Sequence, residues 1–91
     1  MAVEVKIPTV FRKFTDQQAT VQVEAGTIGD VIGRLDDRFP TLRSQLLTEE
    51  GEIHRFVNIY LNDENVRYLD KLATRASDGD TVALLPSVAG G

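Results

Sequence analysis

The residues of this chain best suited to chemistry are the two glycines that close the sequence, Gly90 and Gly91. A carboxylate is a poor electrophile until it is activated as an acyl group. A glycine carboxylate is unhindered, because glycine has no Cβ, and its backbone adopts angles that other residues avoid. Such a terminus suits an enzyme that reaches it through a narrow channel. The pair therefore predicts a C-terminal carboxylate that is activated and then attacked by a nucleophile.

The residues before these glycines favour a projecting tail. An apolar run typical of a strand covers positions 81–85 and stops at Pro86. Ser87, Val88 and Ala89 are small and uncharged and follow neither helix nor strand periodicity. We expect residues 86–91 to form a flexible reactive tail on a single domain that comprises residues 1–91.

Composition excludes several other kinds of site. The 91 residues contain no cysteine and one histidine, His54. Disulfides, thiolate metal sites and cysteine nucleophiles are therefore absent, and a lone histidine predicts a surface or strand-edge position rather than a metal or acid–base site. Adjacent carboxylates such as Asp36 and Asp37 diverge on regular structure, so an independent enzyme is the weakest interpretation. We expect no catalytic residues and no bound cofactor or metal.

Charge and hydropathy bear on partners and location. The net charge is −4 and the ten lysines and arginines are scattered along the sequence, which argues against a nucleic-acid surface. An acidic face that meets a basic partner is the expected use of this charge, although the acidic residues Glu49, Glu50 and Glu52 read better as a solvated loop. No segment approaches the roughly 20 apolar residues that span a bilayer, and no signal sequence opens the chain, which predicts a cytoplasmic protein without a membrane partner.

The order of elements predicts the fold class. Period-two alternation indicates strands over 2–7, 20–24, 55–61 and 81–85, and apolar residues at helical spacing indicate one main helix that begins after Thr27 and stops at Pro40. A turn of helix is expected near Leu42–Leu47, and positions 66–76 are irregular. One apolar helix face on a mixed sheet is a two-layer α+β solution. We predict a β-grasp, or ubiquitin-like, fold: a mixed four- to five-stranded sheet against one helix, with the first and last strands central and parallel.

These features together resemble the ubiquitin-like sulfur carriers of the MoaD and ThiS family over the whole chain. The more specific similarity lies in residues 54–60, 62–67, 78–80 and 86–91, and it favours the branch that serves cysteine synthesis. The molybdopterin branch usually has aromatic residues in its last strand, where this chain has Leu84 and Leu85. A molybdopterin-synthase small subunit, with that enzyme's large subunit as partner, is the alternative within the family.

The resemblance implies a reaction sequence. An ATP-using, ubiquitin-activating-like adenylyltransferase converts the Gly91 carboxylate to an acyl adenylate, and sulfur then replaces the adenylate to give a thiocarboxylate. The thiocarboxylate attacks an aminoacrylate made from O-phosphoserine on a pyridoxal-phosphate cysteine synthase. After rearrangement to an amide, a metalloprotease releases cysteine and regenerates the carrier. The protein would be a co-substrate and not an enzyme.

Two further hypotheses concern surfaces and other functions. If alternate residues of the last strands are buried, Phe56 and Leu85 emerge on the open face of the sheet beside the base of the tail, where Pro86, Val88 and Ala89 complete a docking surface. A ubiquitin-like modifier that joins Gly91 to lysines of other proteins uses the same activation step. A binding module with an incidental Gly-Gly end is the third class.

Overall fold

The computed structural model describes residues 2–86 of the chain. Seven strands are present: β1 (Ala2–Lys6), β2 (Thr20–Glu24), β3 (Gly26–Thr27), β4 (Val57–Leu61), β5 (Glu64–Asn65), β6 (Arg75–Ala76) and β7 (Thr81–Pro86). The α-helices are α1 (Ile28–Arg38) and α2 (Arg43–Leu46), and 3-10 helices cover Thr9–Phe14, Val66–Tyr68 and Lys71–Ala73. No helix within residues 2–86 is long and apolar enough to cross a membrane.

Five strands form one mixed sheet in the order β2-β1-β7-β4-β5. The first and last strands are central and parallel, with Val5 opposite Val82, whereas β1 with β2 and β7 with β4 are antiparallel. A short β3–β6 ladder pairs Gly26 with Ala76 beside it. The α+β, β-grasp architecture predicted from the sequence is confirmed.

One face of the sheet is buried under α1 because strand alternation and helix spacing present apolar residues to the same layer. The buried strand residues are Val3, Val5, Val21, Val23, Val57, Ile59, Val82 and Leu84, and those of the helix are Ile28, Val31, Ile32 and Leu35. The predicted inward and outward positions of β4 and β7 are thus confirmed. Within residues 2–86, no α-helix covers the opposite face of the sheet, where Lys6, Gln22 and Leu85 are exposed.

Helix α1 begins at the predicted residue. The Thr27 hydroxyl accepts a hydrogen bond from the Asp30 backbone N–H at 3.1 Å, and the Asp30 carboxylate accepts one from the Thr27 N–H at 3.0 Å. This reciprocal capping box satisfies two backbone donors that the first turn leaves unpaired. The GxxxG pair of this helix, Gly29 and Gly33, does not pack against the sheet: a Cβ at Gly29 would lie 3.4 Å from the Leu72 carbonyl oxygen, and one at Gly33 would meet nothing within 4 Å.

The connection between β1 and β2 contains a 3-10 helix, and two strand boundaries differ from the sequence prediction. Strand β4 begins at Val57, because the Val57 N–H donates to the His54 carbonyl oxygen at 2.9 Å and closes a turn over the two residues between them. Strand β7 includes Pro86, which lies opposite Val57. Pairing of β7 with β1 ends at Ala83, so the missing proline N–H falls where β7 has one neighbour.

Candidate functional site

The end of β7 is the base of the predicted tail, and its last residues separate core from surface. Leu84 is 1 % exposed and belongs to the core under α1, whereas Leu85 is 46 % exposed on the open face of the sheet. Leu85 lies opposite Asn58, and Pro86 lies opposite Val57. Pro86, the residue before position 87, therefore lies at a fixed point beside the start of β4.

Phe56 is the second exposed apolar side chain at this point, with 47 % of its surface exposed. It lies in the turn before β4 rather than in the strand. Its backbone N–H donates to His54 Nδ1 at 3.3 Å, and its ring lies 5.3 Å from the His54 ring, centroid to centroid. The Arg55 guanidinium lies 5.5 Å from the centroid of the Phe56 ring. His54 is half-buried, lies before β4 rather than in a strand, and helps to shape this turn.

Arg67 fixes this turn from the neighbouring edge of the sheet. Its Nη2 donates to the carbonyl oxygens of His54 and Val57, both at 2.8 Å. Asn65 in turn accepts a hydrogen bond from the Arg67 N–H at 2.9 Å, and the Asn65 amide donates to Asn58 Oδ1 at 3.2 Å. Hydrogen bonds from a charged donor are stronger than neutral ones. In the sequence, Arg67 stands out only as part of residues 62–67, which carry the family resemblance, because no local pattern reveals the carbonyl oxygens that it binds.

We expect Arg67→Ala to loosen this turn and to lower the free energy of unfolding by about 2 kcal/mol, since two part-buried carbonyl oxygens lose a charged donor. Amide hydrogen exchange of Phe56 and Val57 and urea denaturation measure the two effects. Arg34→Ala is the matched control, because one Arg34 nitrogen also bridges two carbonyl oxygens, those of Glu24 and Ala25, at 3.3 and 3.2 Å. Equal effects of the two substitutions would contradict a special role for Arg67.

A second hydrogen-bond network holds the beginning of β7 at the other end of the sheet. Asn62 and Asp63 form a two-residue turn between β4 and β5, with φ values of 48° and 74° as a mirror-image hairpin turn requires. The Asn62 side chain donates to Asp80 Oδ1 at 3.0 Å and accepts from the Thr81 N–H at 2.9 Å. The Ser77 N–H donates to the other Asp80 oxygen at 2.8 Å. β7 is therefore anchored before it runs toward the tail.

This network predicts acid sensitivity. Hydrogen bonds from the Asn62 amide and the Ser77 N–H hold the pKa of Asp80 below its usual value, although partial burial opposes them. A depressed pKa adds stability that is complete above the unfolded-state value of about 4 and is lost as pH falls through the folded-state value. The urea concentration that half-unfolds the wild type should therefore decrease when the pH is lowered below about 4. Asp80→Asn should be less stable at pH 7 and lose less on acidification; an identical pH profile for both chains would contradict the argument.

Leu85 and Pro86 lie at the predicted base of the tail, opposite Asn58 and Val57, and Phe56 immediately precedes Val57. Val88, Ala89, Gly90 and Gly91 lie outside the described residues. The structure therefore shows the exposure of two predicted docking residues, Phe56 and Leu85. The flexible Gly-Gly tail stays a prediction. Within residues 2–86, no group of three or more histidine, aspartate or glutamate side chains is arranged to hold a metal ion.

The order of strands and the helix on one face of the sheet define a ubiquitin-like β-grasp protein. The model of the ThiS family matches residues 5–91. The sulfur carrier protein CysO of Mycobacterium tuberculosis is 45 % identical over 93 residues, with all of both chains covered. The small archaeal modifier protein 3 of Haloferax volcanii is 36 % identical over 94 residues, again with both chains covered completely.

Solved structures agree with the sequence relatives. CysO in the BexX/CysO complex of Amycolatopsis orientalis matches with a TM-score of 0.93 and 40 % identity, over 99 % of this chain and 100 % of that one. Mycobacterium tuberculosis CysO matches with a TM-score of 0.89 and 43 % identity, over 94 % and 99 % of the two chains. This chain belongs to the ThiS/MoaD family of ubiquitin-like sulfur carriers, as its sequence resemblance had indicated.

Proposed function

We propose that this protein is a sulfur carrier whose Gly91 carboxylate is adenylated and converted to a thiocarboxylate. The observation that carries the proposal is the full-length similarity to CysO, together with a family match that extends to residue 91. The geometry of residues 2–86 is consistent with it, because β7 leads the chain to position 87 beside the exposed Leu85 and Phe56. The protein then acts as a co-substrate of partner enzymes.

The activation chemistry needs an enzyme partner. One Gly91 carboxylate oxygen attacks the α-phosphorus of ATP, which forms the acyl adenylate and releases pyrophosphate. Sulfide then adds to the activated carbonyl carbon, AMP leaves and one proton is released, so that sulfur replaces one oxygen of the carboxylate. Neither step requires a side chain of the carrier. An ATP-dependent adenylyltransferase is accordingly the first proposed partner.

The docking surface consists of Phe56, Leu85 and Pro86, extended by Val88 and Ala89. Exposed large apolar side chains that cluster mark interaction surfaces, whereas single ones do not. The cluster lies at the tail base, so a partner that binds it also receives the tail. The complex that contains the Amycolatopsis orientalis relative supports partner binding by carriers of this kind.

Similarity to CysO favours cysteine synthesis as the destination of the sulfur. In this proposal the thiocarboxylate sulfur adds to an aminoacrylate derived from O-phosphoserine on a pyridoxal-phosphate cysteine synthase. Formation of the aminoacrylate releases phosphate. The resulting thioester passes its acyl group to the α-amino group that came from the serine derivative, and a metalloprotease hydrolyses the amide to free cysteine and the Gly91 carboxylate. Each cycle thus consumes one ATP, one sulfide and one O-phosphoserine, and the carrier is recovered.

A modifier function is the second candidate, and the 36 % identity to small archaeal modifier protein 3 favours it. It shares the adenylation step but ends with an isopeptide bond between Gly91 and lysines of other proteins. Peptides from cellular proteins that carry a C-terminal remnant of this chain on lysine would support this function. Their absence from cells that contain the thiocarboxylate would favour the carrier.

The decisive measurement is the intact mass of the protein isolated gently from its native host. Replacement of one oxygen by sulfur adds about 16 mass units at the activated carboxylate. Oxidation of Met1, the single methionine, adds nearly the same mass, so the gain alone does not decide. Iodoacetamide should add one carbamidomethyl group to the thiocarboxylate, and the chain has no cysteine that could accept it.

Fragmentation then assigns the site. The alkylated sulfur should lie on the C-terminal peptide, which also establishes Gly91 as the last residue of the native protein. After incubation with O-phosphoserine and the cysteine synthase, the sulfur-containing mass should give way to a cysteinyl adduct. A gain confined to the Met1 peptide, with no alkylation, would contradict the carrier function.

A further inference from the structure

The directions of the strands divide the charges of this protein between two ends of the sheet. Strands β1 and β7 finish at one end, where β2 and β4 begin because they run antiparallel to them. We call this the tail end, since β7 leads from it to residue 87. The opposite end contains the Asn62–Asp63 turn and the connection into β7.

The strand ends and loops of the tail end gather half of the cations of a chain that is acidic as a whole. Its cations are Lys6, Arg12, Lys13, Arg55 and Arg67. Arg12 is held to the end of β1 by a 3.1 Å hydrogen bond from its Nε to the Ile7 carbonyl oxygen, and Arg67 is held to the turn before β4. Asp16 is an acidic residue of the loop that holds Arg12 and Lys13. Glu52, Asp70 and Lys71 lie with Arg67 around a cleft on the flank, and Glu49 and Glu50 lie in the hairpin between Leu47 and Ile53 that leads into the turn before β4.

The opposite end has the reverse charge. Its acidic residues are Glu4, Glu24, Asp63, Glu64, Asp78 and Asp80, and Asp30 lies near them at the start of α1. Three cations lie there as well: Arg34 donates to the Glu24 carbonyl oxygen, Arg38 donates to the carbonyl oxygen of Gln22 opposite Glu4, and Arg75 lies opposite Thr27. The net charge of −4 therefore conceals a molecule that is polarised along its sheet.

Apolar side chains accompany the cations at the tail end. Leu85 and Phe56 are exposed there, and Val10, on the 3-10 helix that follows β1, is 57 % exposed. Tyr68 is exposed next to Arg67 at the edge of the sheet. An apolar centre with charged residues around it is the usual anatomy of a protein interface. The cations thus border the surface from which the tail leaves the domain.

We infer that the tail end docks on an apolar partner surface bordered by acidic side chains, and that these charges steer the carrier tail-first. The inference rests on the proposed function and names the chemistry of the activating partner's surface. It replaces the expectation from net charge, in which an acidic face meets a basic partner. Complementary charges at an interface rim act chiefly on the association rate, and salt screens them.

The test uses ATP–pyrophosphate exchange by the adenylating enzyme of the same host, with the full-length chain as substrate. KM for the carrier is measured at about 50 and about 500 mM NaCl, where the screening length changes roughly threefold. The tail-end variant is Lys13→Glu with Arg55→Glu, and the control is Glu64→Arg at the opposite end. All three replaced residues are exposed.

For the wild type, KM should rise about fivefold between the two salt concentrations. The double variant should raise KM about tenfold at low salt and lose most of the salt dependence, and Glu64→Arg should stay within about twofold of the wild type. Lys13→Glu alone should give a smaller rise in the same direction. This single variant is informative because the Lys13 ammonium lies over Phe14, not over a docking residue.

The outcomes separate the two proposals. If the wild type supports exchange but its KM changes neither with salt nor with the charge reversals at Lys13 and Arg55, the charge inference is wrong and the carrier function stands. An equal effect of Glu64→Arg also overturns it, because the charge would then act without direction. If the wild type supports no exchange at all, the proposed function itself fails. Urea midpoints of each variant establish that the comparison is between folded proteins.

Discussion

Replacing Leu85 by glutamate is expected to raise the KM for the activating enzyme roughly 30-fold or more and to leave the fold intact. Leu85 is exposed on the open face, so the free energy of unfolding should change by no more than about 0.5 kcal/mol. On docking, the same position is proposed to become buried against an apolar partner. A carboxylate there loses the apolar contact and must also be desolvated, which together exceed the roughly 2 kcal/mol that defines an interface hot spot.

The neighbouring residue supplies the matched control. Leu84 points into the core, so Leu84→Ala should cost about 2–5 kcal/mol of stability and leave KM unchanged at temperatures where the variant is folded. Urea denaturation and the exchange assay therefore give opposite patterns for two adjacent leucines. Loss of stability in Leu85→Glu, or an unchanged KM, would contradict the docking surface.

Deletion of Gly91 is expected to reduce activation at least about 100-fold while binding persists. One residue of extended chain spans about 3.3–3.6 Å, and β7 fixes the point from which the tail starts. A misplacement of roughly 1 Å can already reduce a rate by about two orders of magnitude. A carboxylate that stops one residue short lies several times that distance from its position beside ATP. ATP–pyrophosphate exchange measures the loss.

Competition distinguishes reach from docking. The shortened chain keeps Phe56 and Leu85, so it should inhibit exchange by the wild type competitively, with an inhibition constant close to the wild-type KM. Deletion of Ser87 keeps both glycines and every proposed docking residue but shortens the tail equally, and it should behave in the same way. A shortened chain that is activated normally would show that Gly91 is not the acyl group.

Several parts of this fold could be predicted because short-range patterns report burial. Alternation in β4 and β7 marked Ile59 and Leu84 as core residues, since successive strand residues face opposite sides. Thr27 indicated the start of the helix, because its hydroxyl can accept a hydrogen bond from the backbone N–H three residues on. The glycine pair and the resemblance indicated the family, which the full-length matches confirmed.

Long-range neighbours decided the rest. The 3-10 helix between β1 and β2, the open space beside Gly33 and the place of Pro86 in β7 could not be predicted, because each depends on which element lies alongside in the folded chain. Arg67 is the clearest case: its partners, His54 and Val57, are 13 and 10 residues away and come within reach only when β5 pairs with β4.

The sequence by itself determined which residues are buried, where the main helix starts and which family the chain resembles, because these depend on local periodicity and short motifs. Only the tertiary structure decided how charge is distributed. Scattered cations such as Lys13, Arg55 and Arg67 gather at the tail end because the central strands run parallel and their neighbours antiparallel, which brings distant loops to one edge. Electrostatic energy depends on distance in space, so a net charge read from the sequence does not predict the partner's sign.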